Sequence, residues 1–390
     1  MPDEPLPCTV IGAGALGLGF LGPELAEECR LTYLDIPAKG KFLRRLAEAG
    51  HYTLNQTGLS VRSFTVGPAD GRALTDEPSA GVCDALDAAE LVFTAVGAAN
   101  LPKLAPLLAA AAGRRTAERP LRVLCGENGV DIALSFRRAV CREADTDPGA
   151  ALLVGDTVMG RMCKIARAPD PPIEPVAPGL DWAVVSEAYF GIPVTRQTLR
   201  GLSRIPSALL PQGQAEFEAS EDTKMLAHNG LHALLACLGR LRGAEYFSDL
   251  RDDAELMAMA RRMLFEEVAP ALLRKHAGVL GRNDVLNYCD WILRRTTCPV
   301  FSDVIARGVR GIMRKLQPRE RLVYSLRTVA EQGVEPRVYA MAVAAAVTIA
   351  RAEGETDLPF RRVLTQHCGL DPQADAELLA LIEGRREALG

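Results

Sequence analysis

Nowhere in the 390 residues does an apolar run reach the length of about 18 that a membrane-crossing helix requires, so no transmembrane segment is expected. Histidine is scarce: there are five, with no HxxxH pair and no cluster with cysteine. None of the ten cysteines (8, 29, 83, 125, 141, 163, 237, 289, 298 and 368) forms CxxC. A structural or catalytic metal needs such a cluster, so metal independence is expected. Thiols scattered through apparent core elements read as reduced, buried residues of a cytoplasmic protein. An excess of one charge is also missing: 45 Lys and Arg face 49 Asp and Glu, a net charge of −4, which gives no footing for nucleic acid or a membrane as partner. The opening MPDEPLPCTVIGAG has neither a basic n-region nor an apolar h-region of its own, so no signal peptide is expected. Small molecules remain as the expected partners, with the chain a monomer or homodimer.

Apolar residues make up 48% and charged residues 24%, the balance of a folded globular protein. The length suits two or three domains of about 100–200 residues each. Residues 7–11 read as a short buried strand, 15–29 carry helical spacing, and 31–35 form a second apolar strand. This is a βαβ unit of nucleotide-binding size. Further strands are expected at 60–66, 90–96, 121–125 and 182–189, with helices near 40–49, 101–113 and 130–142, and a Pro-rich loop at 166–179. The alternation predicts an α/β, Rossmann-type doubly wound parallel sheet. Beyond about residue 215 the pattern becomes helical, over 221–241, 254–276, 283–295, 302–314, 336–352 and 375–388. The expected division is an NAD-binding Rossmann domain over 1–215 and a helical substrate and catalytic domain over 216–390.

Between the first strand and first helix lies Gly12-Ala13-Gly14-Ala15-Leu16-Gly17, with the spacing GxGxxG. Gly12 permits a tight turn, Gly14 lets backbone approach a pyrophosphate, and Gly17 lets the helix pack closely on the sheet. The helix N-terminus adds free N–H groups and the positive end of its dipole. Asp35 ends the second strand, 18 residues beyond Gly17, where a carboxylate bonds ribose hydroxyls and repels a 2′-phosphate. NAD is therefore the expected cofactor. Leu91-Val92-Phe93-Thr94-Ala95-Val96-Gly97 ends another strand of the same sheet, so Ala95, Val96 and Gly97 border the ligand crevice or merely make its turn.

Residues 221–239 read EDTKMLAHNGLHALLACLG. At about 100° per residue, Lys224, His228, His232 and Asn229 share roughly 140° of one helix face. Two readings stay open: a half-exposed amphipathic helix with solvated polar groups, or a constellation in a cleft where a desolvated lysine acts as acid or base.

The spacing Lys-x4-Asn-x2-His, carried by Lys224, Asn229 and His232, resembles that of the polyol-specific long-chain dehydrogenases, the mannitol dehydrogenase-like family that includes enzymes of mannitol 1-phosphate. GAGALGLGFLG and LVFTAVG resemble its two cofactor segments, and LRVLCGENGV its strand ending in Glu-Asn, here Glu127 and Asn128. CPVFSDVIARGVRGIMRKL resembles a further family segment at Pro299, Asp303, Arg307, Arg310, Arg314, Lys315 and Leu316. The resemblance implies a Rossmann domain plus a helical domain, with the active site between them and no metal. It implies Lys224 as general acid/base, Asn128 and Asn229 as donors to the developing alkoxide, and Asn128 also beside the cofactor. It assigns His232 to orienting substrate, and Arg307 and Lys315 to far hydroxyls or an anionic end. The expected reaction is hydride transfer between NAD and a secondary alcohol of a polyol, polyol phosphate or sugar acid. One position departs from the family: Gly160 stands where its Val-Asp-Arg-Ile carries a substrate-contacting aspartate. Alternative readings are a ketopantoate-reductase-like 2-oxoacid reductase and a non-catalytic NAD-binding regulator. Asp35 and the length weigh against the first, the intact lysine, asparagines and histidine against the second.

Overall fold

A computed structural model describes residues 4–58, 60–127, 129, 131–167, 172–188, 190–301, 303–387 and 389. The chain forms two compact units, one ending at Phe217 and the next starting at Glu218. In the first unit come strands β1 (Leu6–Ile11), β2 (Cys29–Asp35), β3 (Tyr52–Thr57), β4 (Val61–Val66), β5 (Ala69–Ala73), β6 (Leu91–Thr94), β7 (Leu121–Cys125) and β8 (Leu152–Asp156). Six of them make one sheet in the order β5-β2-β1-β6-β7-β8, every pair parallel. Every residue of β6 and β7 is buried, as a parallel sheet covered on both faces demands. The expected doubly wound sheet is therefore present. Strand order runs outward from β1 through β2 to β5, then restarts at β6 on the other side of β1. This is a topological switch point, and ligands of such sheets bind outside the carboxyl ends of the strands there. The glycine turn at 12–17 follows β1 and the Ala95–Gly97 turn follows β6.

Two expected strands belong elsewhere. β4, read as 60–66, pairs antiparallel with β3. Residues 182–189 supply β10 (Trp182–Glu187), parallel to β3 and antiparallel to β9 (Cys163–Arg167). Together these four form a separate sheet in the order β4-β3-β10-β9. β9 occupies the start of the stretch read as a Pro-rich loop. A two-stranded sheet of β11 (Ile192–Thr195) and β12 (Leu209–Gln212) completes the unit.

The second unit is helical, with helices over 214–241 (which begins just before the boundary), 254–275, Arg282–Thr296, Ile305–Val309, Ile312–Lys315, Val323–Glu331, Arg337–Ala352, 360–367 and Ala376–Glu387. The span read as one helix over 302–314 is two, because Gly311 takes a left-handed φ of 62° between them. Arg337–Ala352 is the central helix: all but a few of its residues are buried, and its many alanines let the helices over 214–241 and Ala376–Glu387 approach closely. The buried Glu267 caps it, accepting from Val338 N at 2.6 Å and Tyr339 N at 3.2 Å, where the helix leaves N–H groups unpaired. Among the described residues no helix is long and apolar enough to cross a membrane.

Candidate functional site

In the first unit the glycine turn is fixed by its own backbone. Gly12 has φ +117°, and a Cβ there would lie 2.5 Å from Ala95 O. A Cβ on Gly17 would lie 1.9 Å from Gly12 O. These two glycines are therefore required by the protein itself. Gly14 is different: no described atom lies within 4 Å of where its Cβ would stand. The space it leaves open is filled by none of the described residues and is available to a ligand. Gly97, φ +84°, is equally open. Asp35 is half-buried and ties the turn to the end of β2, with Oδ2 accepting from Ala13 N at 2.8 Å and Oδ1 from Ile36 N at 2.7 Å. Each carboxylate oxygen keeps a further lone pair for a ribose hydroxyl. Open backbone at the switch point, a helix start and a terminal carboxylate together fit a dinucleotide.

Two features of this turn were not legible beforehand. The buried Glu127 accepts from Thr94 Oγ1 at 2.6 Å and from Val96 N at 2.9 Å, so it locks the turn after β6 to the end of β7. The first helix widens into a π-turn at Gly17–Leu21, and two buried tyrosine hydroxyls bond its carbonyls: Tyr52 to Leu18 O at 2.6 Å and Tyr33 to Gly17 O at 3.2 Å. Asn128 lies outside the described residues.

The contrast between the glycines is testable. Gly14→Ala should leave the melting temperature near that of the wild type and raise the Kd for NADH by roughly tenfold or more, about 1.4 kcal/mol. Gly17→Ala should instead destabilise the protein by roughly 1–3 kcal/mol through overpacking. Thermal melts and NADH titrations separate the two. Equal loss of stability in both variants would contradict the ligand role of Gly14.

In the second unit the expected constellation sits inside a widened helix. Lys224–Asn229 is a π-turn within the helix over 214–241, shown by Gly230 N bonding back to Met225 O. Such turns bulge a helix outward and recur at functional sites. The steady 100° step assumed from the sequence therefore does not hold between Lys224 and Asn229. The turn is buttressed from the central helix: the Tyr339 hydroxyl donates to Leu226 O, and a Cβ on Gly230 would lie 2.2 Å from that hydroxyl.

Burial pushes the Lys224 amine down to a pKa of about 7; the nearby Arg321 charge adds to this, and Glu221 opposes it. The buried His228 is held well below its ordinary value by burial first, then by Lys224, His232, Arg321 and Arg307. Its Nδ1 lies 3.4 Å from Arg295. Asn229 is buried, and its amide nitrogen stands 3.7 Å from Met225 Sδ, a weak acceptor. His232 is lowered by burial, opposed by Asp303. Its Nε2 lies 3.2 Å from Asp303 Oδ2, and its ring packs 4.3 Å from that of Phe247. A carboxylate only accepts, so Nε2 carries the proton and Nδ1 the lone pair.

Asp303 is buried, which by itself would raise its pKa, yet His232 and Arg307 hold it well below the usual carboxylate range. Arg307 donates to it through Nε at 2.6 Å and through Nη2. Asp303 is thus a positioning carboxylate for both side chains. Lys315 is buried, donates to Gly308 O, and is lowered to about 8 by burial and by Arg321. The structure thus brings Lys224, His228 and His232 together with Asp303 and Arg307, and it adds Arg321, which the sequence did not single out. Among the described residues, no three His, Cys, Asp or Glu side chains gather as metal ligands.

Comparison with known proteins gives a consistent result. Residues 9–159 match the family model for the mannitol dehydrogenase Rossmann domain, and residues 216–360 that for the mannitol dehydrogenase C-terminal domain. The chain is 27% identical over 364 residues to a mannitol-1-phosphate 5-dehydrogenase of Shouchella clausii, covering 92% of each chain. It is 26% identical over 339 residues to that of Exiguobacterium sibiricum, covering 86% of this chain and 84% of the relative. The fold is similar to that of Pseudomonas fluorescens mannitol 2-dehydrogenase, solved as a ternary complex with NAD and D-mannitol, with a TM-score of 0.74 at 16% identity, covering 99% of this chain and 92% of that one.

Proposed function

The chain belongs to the mannitol dehydrogenase family and is an NAD-dependent dehydrogenase acting on a CH–OH group; from that premise we propose that it oxidises a polyol or polyol phosphate, with Lys224 as general base and no metal. The observation that carries the proposal is the Lys224 amine, brought to a pKa of about 7 inside a widened helical turn that also holds the buried Asn229. At neutral pH that amine exists in both protonation states, so it serves both directions of the reaction. In oxidation, neutral Lys224 Nζ takes the hydroxyl proton. The Asn229 amide donates to the oxygen as negative charge grows on it. His232, neutral and held by Asp303, accepts a substrate hydroxyl hydrogen at Nδ1 and so orients the chain of hydroxyls. NAD, when bound at the glycine turn, supplies the hydride acceptor. The Rossmann unit is assigned to residues 1–215 and the helical, base-bearing unit to 216–390.

The direct test is NADH formation by chelator-treated protein, measured against a panel of polyols, polyol phosphates and aldonates. Activity without metal is expected; activity lost on chelation and restored by zinc would contradict it.

Cofactor choice rests on Asp35. NAD should exceed NADP in kcat/KM by roughly tenfold or more, because the carboxylate binds ribose hydroxyls and repels a 2′-phosphate. Asp35→Ala should narrow that ratio. It should also raise the KM for both cofactors, because the variant also loses the bond to Ala13 N. Wild-type protein that uses the two cofactors equally would overturn the assignment.

A further inference from the structure

Just ahead of its widened turn, the helix over 214–241 is held by a cluster that the proposed reaction leaves unused. Asp222 lies two residues before Lys224 and is buried. Its Oδ2 accepts from His276 Nε2 at 2.7 Å and from Lys275 Nζ at 2.9 Å, and its Oδ1 accepts from the Tyr324 hydroxyl at 2.6 Å. Lys275 Nζ also donates to the Tyr324 oxygen at 3.1 Å, which closes a ring. Because a carboxylate only accepts, Nε2 of His276 carries the proton. Burial and the Asp222 charge hold the Tyr324 phenol above its ordinary pKa, so it stays a donor at neutral pH.

The donors come from two other elements. Lys275 and His276 end the helix over 254–275, and Tyr324 lies in the first turn of Val323–Glu331. A buried carboxylate is costly unless its lone pairs are met, and charge-assisted bonds of this kind are the strong ones. Removing one member leaves the others buried without a partner, so the ring holds three segments at fixed separations.

One of those segments carries Arg321. Tyr324 N bonds Glu320 O at 2.9 Å, so Arg321, ion-paired with Glu320 at 3.5 Å, sits inside the turn that Tyr324 anchors. After burial, Arg321 is what drives the Lys224 amine down. The ring therefore ties the backbone beside Lys224 to the charge that tunes it. Behind the widened turn, the Tyr339 hydroxyl fixes Leu226 O and lies against Gly230. The turn is thus bracketed on both sides. The remaining charged and titratable groups around it are outside the ring. Glu221 and His228 lie on the same helix, and Arg295 faces His228 from Arg282–Thr296. Glu267 of the helix over 254–275 is committed to the start of the central helix, and His232 to Asp303.

We propose that Asp222 is a positioning residue for Lys224: through Tyr324 and the Lys275–His276 pair it fixes how far the Lys224 amine stands from the Arg321 guanidinium. This deepens the proposed function and rests on its assignment of Lys224. Like charges repel, so loosening the ring lets the two side chains draw apart, and the repulsion falls with distance. The ammonium is then easier to keep, and the ionisation of Lys224 moves up. A direct charge effect has the opposite sign: loss of a nearby carboxylate by itself disfavours the ammonium and moves the ionisation down. The direction of the shift in Asp222→Asn therefore separates the two routes.

The test follows the Lys224 ε-carbon by NMR in selectively ¹³C-labelled full-length protein, comparing wild type, Tyr324→Phe and Asp222→Asn. Both variants should move the ionisation up from about 7. The shift should be roughly half a pH unit or more, the order expected when two charges at an effective dielectric constant of about 20 part by about 2 Å. The pH profile of kcat/KM for oxidation should move with it. At pH 7 the variants should be slower by roughly twofold or more, and they should approach wild type on the alkaline plateau. Tyr324→Phe, which removes one hydroxyl and no charge, serves if Asp222→Asn does not fold. Variants that melt earlier but leave the Lys224 ionisation in place would show a structural role alone and overturn the proposal. A downward shift in Asp222→Asn would overturn it too. If the resonance moves as expected but no polyol is oxidised, the proposed reaction fails while the positioning role stands; oxidation with an unmoved resonance does the reverse.

Discussion

Lys224→Ala should lower turnover by about 10²–10⁴-fold, the range of a positioned general acid–base group, while NADH binding stays close to wild type. Retained NADH binding is expected because the dinucleotide features all lie in the other unit: Gly12, Gly14, Asp35 and the turn after β6. The pH profile gives the same test a second axis. Oxidation needs the neutral amine, so kcat/KM should rise with pH through one ionisation near the value of about 7 set by burial and Arg321, and level off above it. Reduction needs the protonated amine and should fall across the same interval. Both ionisations should be absent from the residual rate of the alanine variant. Near-wild-type turnover with the same profile would remove Lys224 from the mechanism and leave the cofactor half of the account.

Asn229→Ala should have the next largest effect. Its amide nitrogen has only the weak thioether acceptor of Met225 in the described structure, so its donor capacity is available to an alkoxide. Loss of one such donor costs roughly 2.7–4 kcal/mol, about 10²–10³ in kcat, with little change in KM, because the charge it stabilises develops only on the way to the transition state. Asn229→Asp should be at least as slow and should move the ionisation to higher pH, since a carboxylate one turn from Lys224 favours the ammonium. A variant that raises KM and spares kcat would show Asn229 to be a ground-state contact instead.

The glycine turn, its strand and Asp35 were readable because each depends on local chemistry: a left-handed φ, a close approach, a carboxylate at a strand end. β6 and β7 were readable because burial on both faces leaves unbroken apolar runs. β3 and β9 were harder, since YTLNQT and CKIAR mix polar with apolar residues and carry no clean apolar run. Which sheet β4 and β10 join is decided by long-range pairing, and no local pattern encodes it. The helix bearing Lys224, Asn229 and His232 was legible in its residues but not in its geometry. A π-turn follows from what packs around it, here Tyr339 and the closely approached Gly230, more than a hundred residues apart in sequence. Arg321 carries no local sign at all: in sequence it is one arginine among many, and only its burial close to Lys224 and the two histidines distinguishes it.

The central claim is that the fold holds one lysine amine near neutrality for proton transfer. Lysine is scarce enough, seven residues in all, for each ε-carbon to be followed by NMR in selectively ¹³C-labelled protein. The account predicts one resonance titrating near pH 7, lost in Lys224→Arg, and a second near 8, lost in Lys315→Arg. A Lys224 resonance titrating at the free-lysine value of about 10.4 would contradict it.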